Sequence, residues 1–235
     1  MKPELINYAE IHEILPPHPV ISIAGAGGKT TLMLSLAKDL PGTVVTTTTT
    51  KVGETQIRQA DRQVSLECFP SDIPVKSIWV SPSLEPQNRK ITGCGKDEFT
   101  QLSECCRKRC LTLIAETDGA ACRHIKAPAA HEPNIPPECD VCFYLAGLDV
   151  LNHPVSPEFV HRPEIFSRLT NTEAGMPITV QSVINLFEHP DGGLKNIPAN
   201  ALKIAYLTHA DNPERIAAAE EICRQLRHYD YVCIH

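Results

Sequence analysis

The sequence predicts an α/β fold, a three-layer, P-loop NTPase-like domain with a mostly parallel sheet. Short apolar runs alternate with helical patterns along most of the chain, as βα units require. The run from Val20 to Ala24 leads into Gly25, Ala26, Gly27 and Gly28, then Lys29, Thr30 and Thr31 at the head of a helix patterned by Leu32, Leu34, Leu36 and Ala37. A later apolar run closes on Glu116 and Asp118 within LTLIAETDGA, 111–120. Strand, glycine loop and helix in that order is the context of a phosphate-binding loop. A buried strand ending in carboxylates supplies the opposing Mg²⁺ position.

The 235 residues are expected to form one P-loop nucleotide-binding domain over 1–235, with a short N-terminal helix and a small helical insertion around 155–200. A hydrophobic fraction of 42% and a charged fraction of 21% are ordinary for a globular protein. The net charge of −6 argues against nucleic acid or an anionic membrane as partner. No apolar run approaches membrane-spanning length. The segment MKPELINYAEIHEIL carries acids through its apolar positions and has no signal-peptide core. It reads as an amphipathic helix packed on the domain, and the chain as cytoplasmic.

The ten cysteines are scattered, so no disulfide framework is expected. Cys105, Cys106 and Cys110 fall in a helical stretch. Cys139 and Cys142 form a C-x-x-C on a strand-like stretch, where side chains three apart point to opposite faces. That argues against a shared ligand role, and no second C-x-x-C at zinc-ribbon spacing appears. Structural thiols are one reading; soft-metal or selenium binding, which needs the five to converge, is the other.

In the glycine loop, successive backbone N–H groups can turn inward around a phosphate with no Cβ in the way. The helix N-terminus adds partial positive charge. Lys29 would neutralise the outer phosphates and the Thr30 hydroxyl would ligate Mg²⁺. Gly25, Ala26, Gly27, Gly28, Lys29, Thr30 and Thr31 are thus the nucleotide-binding candidates. The commonest loop reads G-x-x-x-x-G-K-[ST], which would put its first glycine at Ile23. The spacing G-x-G-G-K-T-T resembles instead the loop of Mur-type peptide ligases.

The next strand is VVTTTTTK, 44–51, expected beside the loop strand. Its threonines leave the sheet at the C-terminal edge, where open α/β sheets hold ligands. Thr47 and Thr48 are candidates for phosphate or Mg²⁺-water contact and Lys51 adds a cation; strand propensity alone also explains a threonine run. A helix is expected around Gln56–Arg62, a strand over 75–81, a hairpin arm around Lys90–Gly93 after turn residues, and a helix over 96–109.

Glu116 and Asp118 are read as metal ligands, one of them orienting an attacking water. An acidic D-G turn is the plainer alternative. The proline-dense KAPAAHEPNIP, 126–136, cannot be helical. Its Lys126, His131 and Glu132 are candidate substrate or acid/base contacts, or solvated loop residues. A strand over 139–147 follows. Arg162 either reaches phosphate or caps the helix that Pro163 starts. A helix is read over 172–200, then a strand, the T-H-A-D turn and an amphipathic helix. Asp211 stands where GTPases place the acid that reads the base, or serves as an N-cap. YVCI is a last strand.

AGAGGKTTL, VVTTTTTK, E-T-D-G-A followed by K-A-P-A-A-H-E-P, VHRPE and LTHAD together resemble the YqeC-type selenium-dependent hydroxylase accessory proteins. The likeness spans roughly residues 20–225. It implies a P-loop nucleotide-binding fold and a role in preparing or delivering the selenium-containing cofactor of molybdenum hydroxylases. Thr117 and the Thr208–His209 pair depart from the pattern and leave ATP against GTP open. The leading expectation is Mg²⁺-dependent NTP hydrolysis or phosphoryl transfer, with Lys29, Glu116, Asp118 and Arg162 in the chemistry. The alternatives are a nucleotide-gated escort for a hydroxylase or its cofactor, and a Mur-like ligase, for which the chain is short.

Overall fold

The structure is a computed structural model that describes residues 2–86 and 90–235. In chain order its elements are β1 (Glu4–Asn7), α1 (Ile11–Ile14), β2 (Val20–Gly25), α2 (Lys29–Asp39), β3 (Val44–Thr48), β4 (Lys51–Gly53), α3 (Glu54–Ile57), β5 (Arg62–Ser65), β6 (Ser77–Ser81), β7 (Lys90–Thr92) and α4 (Lys96–Lys108). The second half adds β8 (Thr112–Glu116), β9 (Ile125–Lys126), β10 (Val141–Gly147), β11 (Val160–His161), α5 (Pro163–Thr170), α6 (Val180–Glu188), β12 (Leu202–Thr208), α7 (Pro213–Gln225) and β13 (Tyr231–Ile234).

Nine strands form one sheet in the order β1-β13-β12-β10-β2-β8-β3-β6-β5, and every pairing in it is parallel. The central strands are buried along their whole length, which is why they read as continuous apolar runs. Successive residues still serve opposite faces. Ile21, Ile23, Phe143 and Leu145 pack with Leu32, Met33 and Leu36 of α2 on one side. Tyr144 and Ala146 pack with Phe166, Val183, Phe187 and Ile222 of α5, α6 and α7 on the other. On that second side Leu113 and Ala115 meet Phe99, Leu102 and Cys106 of α4. Helix, sheet, helix is the three-layer α/β arrangement expected. Residues of 155–200 share this core, through Phe166, Ile178 and Val183.

Five local expectations are corrected. The helix read over 172–200 is confined to Val180–Glu188, with turns and irregular backbone on either side. The N-terminal segment is mostly not helix: Glu4–Asn7 forms an edge strand paired with β13, and only Ile11–Ile14 is α-helical. Backbone pairing to a strand more than 220 residues away overrides the local helical pattern. β3 does not lie beside β2; β8 runs between them. The threonine strand stops at Thr48, and Lys51–Gly53 begins an antiparallel ladder with Lys90–Thr92, the expected hairpin arm. The helix near Gln56 ends at Ile57, and Arg62–Ser65 is instead the far edge strand. The turn expected just before Lys90 lies partly outside the described residues.

Because every strand of the sheet runs the same way, the glycine loop after β2, Glu116 at the end of β8, Gly147 at the end of β10 and Thr208 at the end of β12 all emerge on one edge. That edge carries the candidate site.

Candidate functional site

The loop between β2 and α2 is held open by its glycines. Gly25, Gly27 and Gly28 have φ of 91°, 86° and 113°, in the left-handed region that glycine enters without a Cβ penalty. A Cβ on Gly25 would lie 2.4 Å from the Leu145 carbonyl oxygen, and one on Gly27 would lie 2.7 Å from the Gly147 nitrogen. The loop therefore needs glycine twice over, for conformation and for close packing on the end of β10. The Ala26 N–H is used, donating to Leu145 O at 3.0 Å. The Gly27 and Gly28 N–H groups donate to nothing else among the described residues. Both residues line a cavity of about 330 Å³ with Thr31, Thr208, Asp211 and His235. Undonated amides at a helix N-terminus that lines a cavity are the groups from which anion sites are built.

Lys29 is buried, 6% exposed. Its Nζ donates to Gly25 O at 2.8 Å and lies 3.3 Å from Asp118 Oδ1 and 3.7 Å from Glu116 Oε1. The loop cation and the strand-end carboxylates therefore meet, as the sequence predicts. The two acids have different surroundings. Asp118 accepts the Gly25 N–H at 3.1 Å and pairs with Lys126 at 2.9 Å, so it ties the loop to the proline-rich segment. Glu116 accepts the Thr30 hydroxyl at 3.2 Å. Burial, with the Asp118 charge adding to it, raises its pKa against the opposing pull of Lys29. Hydroxyl and carboxylate oxygens converging beside the loop are the hard donors that Mg²⁺ takes, so Thr30 and Glu116 fit that ion, with Asp118 behind them.

Lys126 is fully buried. It donates to Gly119 O at 2.6 Å and to Glu132 Oε2 at 2.7 Å. Arg162 reaches the same carboxylate oxygen at 2.6 Å. Burial alone would raise the Glu132 carboxyl; hydrogen bonds from Arg162 and Lys126 override it and bring the pKa down to about 2. Arg162 also occupies the N-cap position of α5 with φ 66°, the cap place expected of it, while its guanidinium is engaged by Glu132. Its guanidinium meets Glu132, one ion pair further from the loop than Lys126. Lys29, Asp118, Lys126, Glu132 and Arg162 thus form a buried chain of alternating charge.

The remaining candidates sit apart from this chain. Thr47 donates to Val80 O at 2.7 Å and Thr48 to Glu116 O at 2.8 Å; both are fully buried, and their hydroxyls bond strand ends together. Lys51 and His131 are exposed. Asp211 lines the loop cavity and pairs with Arg215 at 2.7 Å. The N-cap of α7 is Asn212, which accepts the Arg215 N–H at 3.0 Å, so Asp211 is not the cap. A second cavity of about 340 Å³ opens at the end of β3, lined by Thr49, Cys94, Phe99, Asn134 and Pro136.

The cysteines do not converge. Cys106 belongs to one core cluster, and Cys139 and Cys142 to another; all ten are free thiols. One expectation fails here. Cys139 precedes β10, in a turn closed by its N–H on Pro136 O at 3.1 Å, so strand alternation does not apply to it. Its thiol meets Cys142, whose hydrogen bond lowers the Cys139 pKa while raising its own.

Sequence reasoning missed Gly147, Thr208 as a loop anchor, and His124. The Thr208 hydroxyl donates to Gly27 O at 2.7 Å, and the Gly147 N–H donates to His124 O at 2.7 Å. A usable signal existed for two of them: both sit at strand C-termini on the ligand edge.

The model of a family described as YqeC protein matches residues 21–164, which contain the loop, both strand-end acids, Lys126, Glu132 and Arg162. A relative from Escherichia coli (strain K12), printed as "Uncharacterized protein YqeC", is 28% identical over 225 residues, covering 92% of this chain and 85% of its own length. No solved structure is a significant match to the chain.

Proposed function

The chain belongs to the YqeC protein family, and on that premise we propose that it binds the polyphosphate of a nucleoside triphosphate with Mg²⁺ and hydrolyses or transfers the terminal phosphoryl group. The observation that carries the reading is the pair of undonated amides at Gly27 and Gly28 lining a cavity, with the Lys29 ammonium and two carboxylates behind them. Bound Mg²⁺ would supply charge neutralisation at the phosphate oxygens. The chain's own groups do the rest. Gly27 and Gly28 orient the phosphates. Lys29, now held by Gly25 O and the acids, exchanges part of that pairing for phosphate oxygen and stabilises developing charge. Thr30 and Glu116, whose oxygens meet beside the loop, would hold the Mg²⁺. Asp118, fixed by Gly25, Lys29 and Lys126, holds the loop in register, and Arg162 acts through Glu132 as a positioning residue. Asp211, on the cavity wall, meets the nucleoside end.

The likeness to selenium-dependent hydroxylase accessory proteins supports the preparation or delivery of a selenium-containing molybdenum-hydroxylase cofactor as the process served. Single-turnover assays with ATP and with GTP in Mg²⁺ test the chemistry. Lys29→Ala should slow turnover by about 10² or more; no turnover of either nucleotide by the natural protein, or an unchanged rate in the variant, overturns it. Glu116→Gln, which removes a carboxylate from the magnesium position, should lose turnover and weaken the Mg²⁺-dependent part of nucleotide-induced thermal stabilisation. Saturable nucleotide binding with no turnover leaves the escort reading, checked by capture of a molybdenum hydroxylase with and without nucleotide.

A further inference from the structure

Beyond the phosphate loop, three side chains from separate segments meet at the same sheet edge. His124 precedes β9, Asp149 follows β10 and His209 follows β12. One potential ligand atom from each lies within 4.8 Å of the other two, and among the described residues this is the cluster of at least three such side chains. The His124 and His209 rings stack at 4.8 Å with planes 10° apart. His124 Nδ1 lies 2.6 Å from Asp149 Oδ2. The other carboxylate oxygen, Asp149 Oδ1, is buried with no hydrogen-bond partner. A buried carboxylate oxygen without a donor is costly, and a cation satisfies it.

The backbone is shaped for this meeting. A Cβ on Gly147 would lie 2.6 Å from Asp149 Oδ1, 2.9 Å from the His124 Cβ and 3.2 Å from the His209 Cδ2, so only glycine lets the three close around that point. His209 has φ 59°, a left-handed conformation that a non-glycine residue adopts at a cost and that persists where a site over-determines it. Thr208, its neighbour, holds Gly27 O, which fixes the turn that presents the ring.

We propose that His124, Asp149 and His209 bind a first-row transition-metal dication, at a position separate from the Thr30–Glu116 magnesium position. Two imidazoles and one carboxylate suit zinc, iron or cobalt far better than magnesium, which prefers all-oxygen sites. Metal–ligand bonds near 2.0–2.2 Å are reached when the two imidazoles rotate out of their stack and each turns a ring nitrogen toward Asp149. Three protein ligands leave coordination positions open, the pattern of a catalytic rather than a sealed structural site. The His124 side chain is 41% exposed and that of Asp149 is 27% exposed, so an entry path exists. A Cβ on Gly27 would lie 2.8 Å from His124 O, so the phosphate loop packs directly against the backbone of one ligand. His209 lines the loop cavity with Gly27 and Gly28, so an open position can take an anionic group held in that cavity.

The test needs no nucleotide, so it stands apart from the NTP reading. Chelator-treated full-length protein is titrated with Co²⁺ under a reductant that does not bind metal, and the visible d–d absorption is followed. One equivalent should bind without a thiolate-to-cobalt charge-transfer band. His209→Ala and Asp149→Asn should each weaken it by about ten-fold or more, and Cys122→Ser, at an exposed neighbouring thiol, should leave it unchanged. His209 is exposed, so its variant folds even if Asp149→Asn does not. Absence of saturable Co²⁺ binding, unchanged affinity in His209→Ala, or a thiolate band lost in Cys122→Ser would each overturn the proposal.

Discussion

Glu132→Gln is the most informative single change at the site's frame. The carboxylate accepts hydrogen bonds from Lys126 at 2.7 Å and Arg162 at 2.6 Å, and its side chain is 11% exposed. Moving a carboxyl from 4.5 to about 2 is worth about 3 kcal/mol, at 1.36 kcal/mol per tenfold change in proton affinity. The folded-state value is depressed, so this stability is fully present above pH 4.5 and is lost as the pH falls toward about 2. The glutamine cannot ionise, and it leaves Lys126 with Asp118 as its one carboxylate partner. Removing one partner of a buried pair typically costs about 3–5 kcal/mol, so at pH 7 the variant should be less stable by about 3 kcal/mol. Urea denaturation of both proteins at pH 7 and pH 3.5 measures this. The linkage relation predicts that the gap narrows by about 1 kcal/mol at the lower pH, because the natural protein has begun to lose its ionised-carboxylate advantage. A gap that is the same at both pH values, or a variant as stable as the natural protein at pH 7, would refute the buried-network reasoning.

Other expectations follow from the loop and the thiols. Gly25→Ala forces a Cβ to 2.4 Å from Leu145 O at φ 91°, and should cost about 2 kcal/mol or more in thermal unfolding. Gly28→Ala meets only the Thr208 Cγ2 at 3.5 Å, so it should cost about 1–2 kcal/mol, from conformation alone; equal losses for the two variants would contradict the packing argument. Thr208→Val removes the hydroxyl that holds Gly27 O and should weaken nucleotide-induced stabilisation several-fold, with a loss of about 1–3 kcal/mol in global stability from the undonated carbonyl. In a native thiol titration Cys68, Cys110 and Cys122, which are exposed, should react first. Cys139 and Cys142 should react only on unfolding, since burial and not acidity governs their access; fast labelling of either would show that their cluster opens.

The parts of the site that could be read in the sequence are those whose chemistry is local. Gly25 through Thr31 declare themselves because a glycine turn between a strand and a helix leaves few other uses for a lysine and two threonines. Glu116 and Asp118 stand out because an apolar run ends on them. The pairing of Lys126 with Glu132 and of Glu132 with Arg162 was not legible, because residues 30 apart at the latter pair meet only once β9 and β11 are side by side. The N-terminal segment misled for a related reason: its period suits a helix, and only the open edge of β13 makes it a strand.

Composition and local pattern by themselves determined the α/β class, the glycine turn from strand to helix and the acidic strand end, since each follows from what a few neighbouring residues can do with their own backbone. The tertiary structure alone decided that β8 lies between β2 and β3, which sets Glu116 beside Thr30, and that His124, Asp149 and His209 share one corner. Those outcomes depend on strand order and on which side chains a glycine lets approach, and no stretch of contiguous sequence encodes either.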